Sequence, residues 1–288
     1  TTELPLVNGA DDGYMFGRVA SGDFDDDGDP DLFIPIAFVQ DFSSDAPNLL
    51  LLNDGTGVFT RDSDGRIPAM AAYSDYTFTA VAEDLDGDGD EDIYLGESQM
   101  RQRILINDGQ GVNFAFTEEG DSRMPADSPR AYDAQIVDVD GDLDKDILIV
   151  SDAYDTGGGV YGSPGTTLYI NDGAGFFSSQ LLPLTDSTHD TRGLSVCDLN
   201  GDGALDVVLG NATEFYDHGG TGIEALMQSP DTPLEFSPLA GLPALDSTQG
   251  VFAIAVGDLN GDGVEDLAIA VAETEGHLSN MLWLSQTQ

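Results

Sequence analysis

Short apolar runs alternate with tight polar loops along the whole chain, and the runs never take up helical spacing. "FTAVAED" (Phe78–Asp84) and "FAIAVGD" (Phe252–Asp258) lead into acidic stretches, and "DIYLG" (Asp92–Gly96) and "DLAIA" (Asp266–Ala270) lead out of them. Valine, isoleucine, leucine and alanine in runs of four to eight, bounded by Asp and Gly, predict strands. A second element follows each pair. "LLLLNDGTGVF", "RILINDGQGVNFAF" and "TLYINDGAGFF" each read as strand, Asp-Gly turn, strand. In the fourth repeat the turn becomes "SPDTP", and the fifth ends at "MLWLSQTQ". An apolar residue plus proline precedes each acidic stretch: Leu4-Pro5, Ile67-Pro68, Met124-Pro125, Leu182-Pro183 and Leu242-Pro243.

The acidic stretches recur five times. Their first aspartates, Asp23, Asp84, Asp138, Asp198 and Asp258, lie 61, 54, 60 and 60 residues apart. Each period carries four predicted strands, the pattern of a β-propeller blade. The fold expected is all-β: one five-bladed propeller of four-stranded antiparallel blades spanning residues 1–288. "TTELPLVNG" at the start resembles a fourth strand, and the last repeat lacks one. Residues 1–9 are therefore expected to complete the last blade and close the ring, leaving no sheet edge.

Within each stretch the pattern is Asp-x-Asp/Asn-x-Asp-Gly-x-x-Asp. Carboxylates at alternate positions of a tight loop converge on one point, and oxygen-only ligands in that number suit Ca2+, with its 6–8 coordination, better than octahedral Mg2+. Five calcium sites are expected. They are Asp23, Asp25, Asp27, Asp29 and Asp31; Asp84, Asp86, Asp88, Asp90 and Asp92; Asp138, Asp140, Asp142, Asp144 and Asp146; Asp198, Asn200, Asp202, Ala204 and Asp206; and Asp258, Asn260, Asp262, Val264 and Asp266. The seventh position (Asp29, Asp90, Asp144, Ala204, Val264) is expected to lend its backbone carbonyl, and Glu83 and Glu91 to face solvent. An EF-hand begins alike but needs flanking helices and a glutamate at position twelve. Here strands flank each loop, and Leu95 holds that position in the second. Leu143 takes the sixth position of the third loop, where the others carry glycine, so that site is expected to be distorted, weaker or empty.

Composition narrows the functions. Against 54 Asp and Glu stand 9 Lys and Arg, a net charge of −45. Nucleic acid, whose phosphates need a basic face, is excluded as a partner, and an anionic membrane surface is disfavoured. No apolar run reaches the ~18 residues of a membrane span, so no direct membrane insertion is expected. Five Ca2+ would leave about −35, and the remainder suggests a saline or marine setting. One cysteine, Cys197, excludes internal disulfides and favours a prokaryotic source; it is expected to be buried and inert. No signal peptide is read at "TTELPLVNG", as expected of a mature, processed chain and equally of a cytosolic one.

"FGRVASGDFDDDGDPDLFIPIA" and "FAIAVGDLNGDGVEDLAIAVA" resemble FG-GAP repeats, the calcium-loop blades of integrin α-subunits, and "LLLLNDGTGVFT" is similar to the VCBS-type repeats of bacterial extracellular proteins. The resemblance covers nearly the whole chain. It implies a propeller with calcium in the hairpin loop between the first two strands of each blade, and an extracellular, cell-surface or periplasmic location. Five blades rather than the integrin's seven leaves integrin partners without a carry-over.

Long connections on the side away from the acidic loops collect tyrosines, histidines and arginines, the composition of a recognition surface. Tyr73, Tyr76, Arg130, Tyr132, Tyr154, Tyr161, His189, Arg192, Tyr216 and His218 are the candidate partner-binding residues, with Arg101 and Arg103 in the same connections. The leading expectation is a non-enzymatic adhesion or recognition module for an extracellular protein or glycan. The alternatives are a self-assembling subunit of a surface layer, sheath or filament, and a polysaccharide-active lyase or hydrolase. No nucleophile–base constellation stands out among so many carboxylates, so catalysis is not expected.

Overall fold

The computed structural model describes residues 14–39, 48–68, 77–97, 101–126, 129–151, 154–155, 161–162, 165–184, 190–212, 222–242, 249–273 and 278–283. Almost all regular structure in them is strand. The first repeat contains β1 (Tyr14–Phe16), β2 (Ala20–Gly22), β3 (Asp31–Ile34), β4 (Ile36–Val39), β5 (Leu49–Asn53) and β6 (Phe59–Arg61). The second contains β7 (Thr77–Glu83), β8 (Asp92–Glu97), β9 (Arg103–Asn107) and β10 (Phe116–Glu118), plus the one-turn helix α1 (Gly120–Arg123). The third contains β11 (Ala131–Val137), β12 (Asp146–Ser151), β13 (Tyr154–Asp155), β14 (Tyr161–Gly162), β15 (Thr167–Asn171) and β16 (Phe177–Leu181). β17 (Asp190–Cys197), β18 (Asp206–Ala212), β19 (Ile223–Ser229) and β20 (Thr232–Pro238) form the fourth; β21 (Gln249–Gly257), β22 (Asp266–Glu273) and β23 (Leu278–Trp283) belong to the fifth.

Four sheets have four strands in the meander orders β2-β3-β5-β6, β7-β8-β9-β10, β11-β12-β15-β16 and β17-β18-β19-β20. The fifth has the described strands β21-β22-β23, and the pairs β1-β4 and β13-β14 form two separate ribbons. This is the order expected of up-and-down blades, with each acidic loop joining the first strand to the second. Residues 1–9, expected to complete the last blade, lie outside the described residues. Pro35 divides the second strand of the first repeat into β3 and β4, because proline donates no ladder hydrogen bond. Bulges at Thr77/Thr79, Thr191/Gly193 and Val251/Ala253 interrupt the first strand near its start in three repeats.

Contacts resolve two compact units, residues 1–136 with 169–179, and residues 137–168 with 180–288. The first unit's core is Phe24, Phe33, Leu50, Ile93, Leu95, Leu105, Phe114 and Phe116. Phe116 meets Phe24 and Phe114 edge-on, at centroid distances of 5.7 and 5.4 Å. In the second unit Leu199, Val208, Ile223, Val251, Leu267, Ile269 and Val271 make the corresponding core. In both, the second residue of an acidic loop (Phe24, Leu199) belongs to the core, so burial of that residue anchors the loop. Cys197 is buried there too, and desolvation, with nearby Glu265 and Asp206, pushes its thiol up to about 12, an unreactive thiol.

Candidate metal centre

All five loops share one backbone. The fourth and sixth positions are left-handed throughout: Asp26 and Gly28 (φ 56° and 93°), Gly87 and Gly89 (77° and 98°), Gly141 and Leu143 (82° and 82°), Gly201 and Gly203 (76° and 92°), Gly261 and Gly263 (80° and 86°). Leu143 thus adopts the conformation its glycine counterparts take without strain. Its N–H donates to Asp138 Oδ2 at 3.0 Å, as that of Gly89 does to Asp84 at 3.1 Å. The third loop is therefore not distorted, contrary to the sequence expectation. Leucine there costs roughly 1–2 kcal/mol of backbone strain, and the side chain is 87% exposed, with little packing to lose. Leu143→Gly should accordingly stabilise the chain by up to about 1 kcal/mol and raise the thermal midpoint by roughly 2–4 °C.

Each carboxylate in the loop has its own work. The first aspartate gathers N–H groups: Asp23 accepts from Asp27 and Gly28, Asp198 from Gly201, Asp202 and Gly203. The fifth accepts from the seventh residue's N–H in every loop, at 2.9–3.1 Å. The ninth is buried and ties the loop to the sheet. Asp92 Oδ2 accepts from Leu85 N–H at 3.0 Å and its Oδ1 from Asn107 N–H on β9 at 2.9 Å. Asp31 does the same with Phe24 and Asn53, and Asp206 with Leu199 and Gln228.

The third position is different. Asp25 Oδ1 and Asp86 Oδ1 are buried without a hydrogen-bond partner. Carboxylate oxygens of Asp23, Asp25 and Asp27, of Asp84, Asp86 and Asp92, and of Asp138, Asp140 and Asp146 lie within 4.8 Å of one another in each group. These are donor sets able to hold a hard cation, and the orphaned oxygens fit one. Asn200 and Asn260 replace that carboxylate in the last two loops. There Nδ2 donates to Asp202 Oδ2 at 3.0 Å and to Asp266 Oδ1 at 3.4 Å. At the seventh position, a Cβ added to Gly55 or Gly109 would collide with the Asp29 or Asp90 carboxylate. Those side chains are turned to the neighbouring hairpin, and their backbone carbonyls are left for the loop.

Burial governs the titration. Desolvation raises Asp31 from 3.8 to about 6, Asp92 to about 7 and Asp206 to about 6, against the lowering effect of their backbone hydrogen bonds. Asp25 and Asp86 are also raised, by burial first and neighbouring carboxylates second. A carboxyl raised in the folded state gives stability that is full below the unfolded value of about 3.9 and lost as pH rises through the folded value. The metal-free chain should therefore melt higher at pH 5 than at pH 7.5. A metal-loaded chain should show the reverse, because protons compete for its ligands; differential scanning calorimetry at both pH values checks this.

One class of functional residue was not recognised in the sequence. Asn107 Nδ2 donates to Phe24 O in the preceding repeat's loop (3.0 Å) and to Glu91 O in its own (3.3 Å). Asn171 reaches Leu85 O at 2.8 Å, and Gln228 bridges Val139 O and Leu205 O, both at 3.0 Å. The asparagine of "NDG" is therefore a latch between successive loops as well as a turn former, since Asn107 Oδ1 also accepts from Gly109 N–H. Its recurrence in three repeats was the available signal. Asn107→Ala should cost about 2–3 kcal/mol in urea unfolding, by stranding buried carbonyls. Glu91 also departs from expectation: it is partly buried, and its carboxylate accepts the N–H of Asp23.

On the expected recognition side, Tyr73, Tyr76, His189, Tyr216 and His218 lie outside the described residues. Tyr154 and Tyr161 fall on the ribbon β13-β14, with Asp155 opposite Tyr161. Tyr132 is on strand β11 and stacks on Phe78, with centroids 5.8 Å apart and planes at 29°. Arg130 precedes β11, and Arg192 sits at the bulge of β17. Arg103, read as part of a connection, is a buried residue of β9, 3.8 Å from the buried Glu97. Arg101 pairs with Asp121 at 2.7 Å. Asp133, which no motif marks in the sequence, is a buried carboxylate raised to about 6 by desolvation and paired with Arg18 at 2.9 Å.

A family model described as the FG-GAP-like repeat matches residues 23–95, 84–149 and 138–209. The chain belongs to this family. Each match runs from one acidic loop through the strand that leaves the next, so the FG-GAP-like unit and the loop spacing coincide. No curated protein matches the sequence. Among solved structures, an Agrocybe aegerita lectin, whose study concerns recognition of non-reducing terminal N-acetylglucosamine, aligns at TM-score 0.50 and 18% identity over 96% of this chain and 67% of that one. A candidate exo-β-1,3-galactanase from Bifidobacterium bifidum s17 aligns at 0.46 and 11%, over 96% and 94%. A GH43_1 enzyme from Xanthomonas citri aligns at 0.43 and 11%, over 96% and 91%. No helix among the described residues is long and apolar enough to cross a membrane.

Proposed function

We propose that the chain is an extracellular, calcium-stiffened recognition module, its five sheets the blades of one β-propeller, with residues 1–9 completing the last. The observation that carries this reading is the pair of buried, unpartnered oxygens, Asp25 Oδ1 and Asp86 Oδ1, each within a converging carboxylate group. A buried carboxylate oxygen without a donor is costly unless a cation meets it. All-oxygen donors in a flexible loop favour Ca2+ over Mg2+. The first, third, fifth and ninth side chains and the seventh carbonyl of each loop would hold the ion. It would supply charge neutralisation and rigidity, while Asp31, Asp92 and Asp206 tie the loops to their sheets.

Recognition of a glycan or protein is supported by the FG-GAP-like family and by the glycan-recognition topic of the lectin study. Arg130 and Tyr132 in the first unit, and Arg192 and the β13-β14 ribbon in the second, are the described candidates for partner contact. A glycan and matrix-protein array, probed with the calcium-loaded chain and again after chelation, tests it. Calcium-dependent binding to a defined ligand is the expected result. Large calcium-dependent particles in light scattering without a partner, or turnover of a polysaccharide on the array, would overturn it.

A further inference from the structure

Two arginines hold equivalent places on the next repeat's hairpin, and one of them meets the third carboxylate of a loop. Arg123 Nη2 lies 3.3 Å from Asp86 Oδ2, and Nη1 donates to the Ala174 carbonyl in the next repeat's hairpin turn at 2.7 Å. Its guanidinium sits 5.2 Å over the Phe176 ring. Arg66 repeats the hairpin half of the arrangement one repeat earlier. Its Nη2 donates to the Val112 carbonyl at 3.1 Å and it sits 5.2 Å over Phe114, while its carboxylate partners are Asp62 and Asp64 of its own connection. In both places a planar cation reaches a carbonyl and an aromatic ring of the next repeat's hairpin, at Arg123 it also meets a loop carboxylate, and each arginine directly precedes the apolar-proline element.

The third repeat lacks that arginine. Leu181 precedes its Leu182-Pro183, and the chain from Phe177 to that element is shorter. The hairpin contact is kept by a neutral group, since Gln180 Nε2 donates to the Leu234 carbonyl at 2.9 Å. Beside it a cleft of about 250 Å3 opens between the third and fourth loops, lined in part by Asp138, Asp140, Asp202, Gln228, Ser229 and Pro230. No arginine or lysine is among the described residues that line it.

We propose that this cleft receives the guanidinium of an arginine from a partner protein, in the place that Arg123 fills from within the chain one repeat earlier. The chain's net charge of −45 draws such a partner in. A planar fork that spans carboxylate and carbonyl together suits arginine better than lysine. Calcium and arginine need not compete: Asp86 meets Arg123 through Oδ2 while its Oδ1 stays unpartnered. The proposal stands apart from the glycan reading and concerns the acidic-loop ends of the sheets.

The test titrates the full chain, in saturating calcium, with Gly-Arg-Gly, Gly-Lys-Gly and Gly-citrulline-Gly peptides, followed by backbone amide NMR. The arginine peptide should shift Gly141, Gly203, Gln228 and Ser229 saturably, with a millimolar dissociation constant. The lysine peptide should bind at least about 5-fold more weakly, and the citrulline peptide should cause no saturable shift. Gln180→Arg, or Leu181→Arg at a position 65% exposed should the first variant not fold, should weaken binding about 10-fold by filling the cleft from within. Absence of saturable shifts, equal binding of lysine or citrulline peptide, or unchanged binding in a folded variant would each overturn the proposal.

Discussion

Replacing Asp92 with alanine is expected to destabilise the calcium-loaded chain by about 3–5 kcal/mol, the largest effect of any single loop substitution. The carboxylate is completely buried and accepts N–H groups from Leu85 and from Asn107 on the neighbouring strand. Alanine would strand both donors and remove one of three converging oxygens. Asp92→Asn separates the two losses. It keeps one acceptor oxygen and the shape, and without metal near neutral pH it also removes a charge that burial disfavours. It should therefore cost only about 1–2 kcal/mol in chelator and distinctly more in calcium. Urea denaturation of both variants, with and without calcium, measures the difference. Equal costs in the two conditions would show that Asp92 acts as a strand tie alone.

Withdrawing calcium is the second large effect. A site held at a hundred times its dissociation constant contributes about 2.7 kcal/mol through mass action. Three such sites would contribute about 8 kcal/mol, comparable with the roughly 5–15 kcal/mol of stability of an ordinary domain. Chelation should therefore lower the thermal midpoint by more than about 10 °C, and added calcium should restore it while added magnesium restores much less. The second and third loops should contribute comparably, because Leu143 keeps the glycine-like backbone; Asp86→Ala and Asp140→Ala should shift the calcium-loaded midpoint by similar amounts. The fourth and fifth loops should bind more weakly, since Asn200 and Asn260 bring an amide where the others bring a carboxylate.

Much of this architecture was legible because the repeats are local. A strand, an acidic loop and a second strand lie within some twenty residues, so Thr77–Glu83 and Asp92–Glu97 could be paired from spacing alone. What escaped notice is what depends on the repeats touching one another. Asn107 read as a turn residue because its turn is local, whereas its bond to Phe24 O crosses 83 positions. Glu91 read as solvated for the same reason, its partner being the N–H of Asp23. Leu143 misled in the opposite direction. Its side chain argued for distortion, but the Asp138 and Asp140 carboxylates impose the loop's backbone on whichever residue sits there, accepting N–H groups from Gly141, Asp142 and Leu143. Arg66 and Arg123 went unremarked because nothing in the sequence says that they stack on Phe114 and Phe176.

Calcium content is the most direct measure of the central claim. Equilibrium dialysis of the chelator-stripped chain against labelled calcium should give saturable binding of at least three ions per chain, rising towards five at higher concentration. Asp86→Ala should remove one of them. Absence of saturable binding, or an Asp86→Ala variant that binds as many ions as the parent chain, would contradict the account.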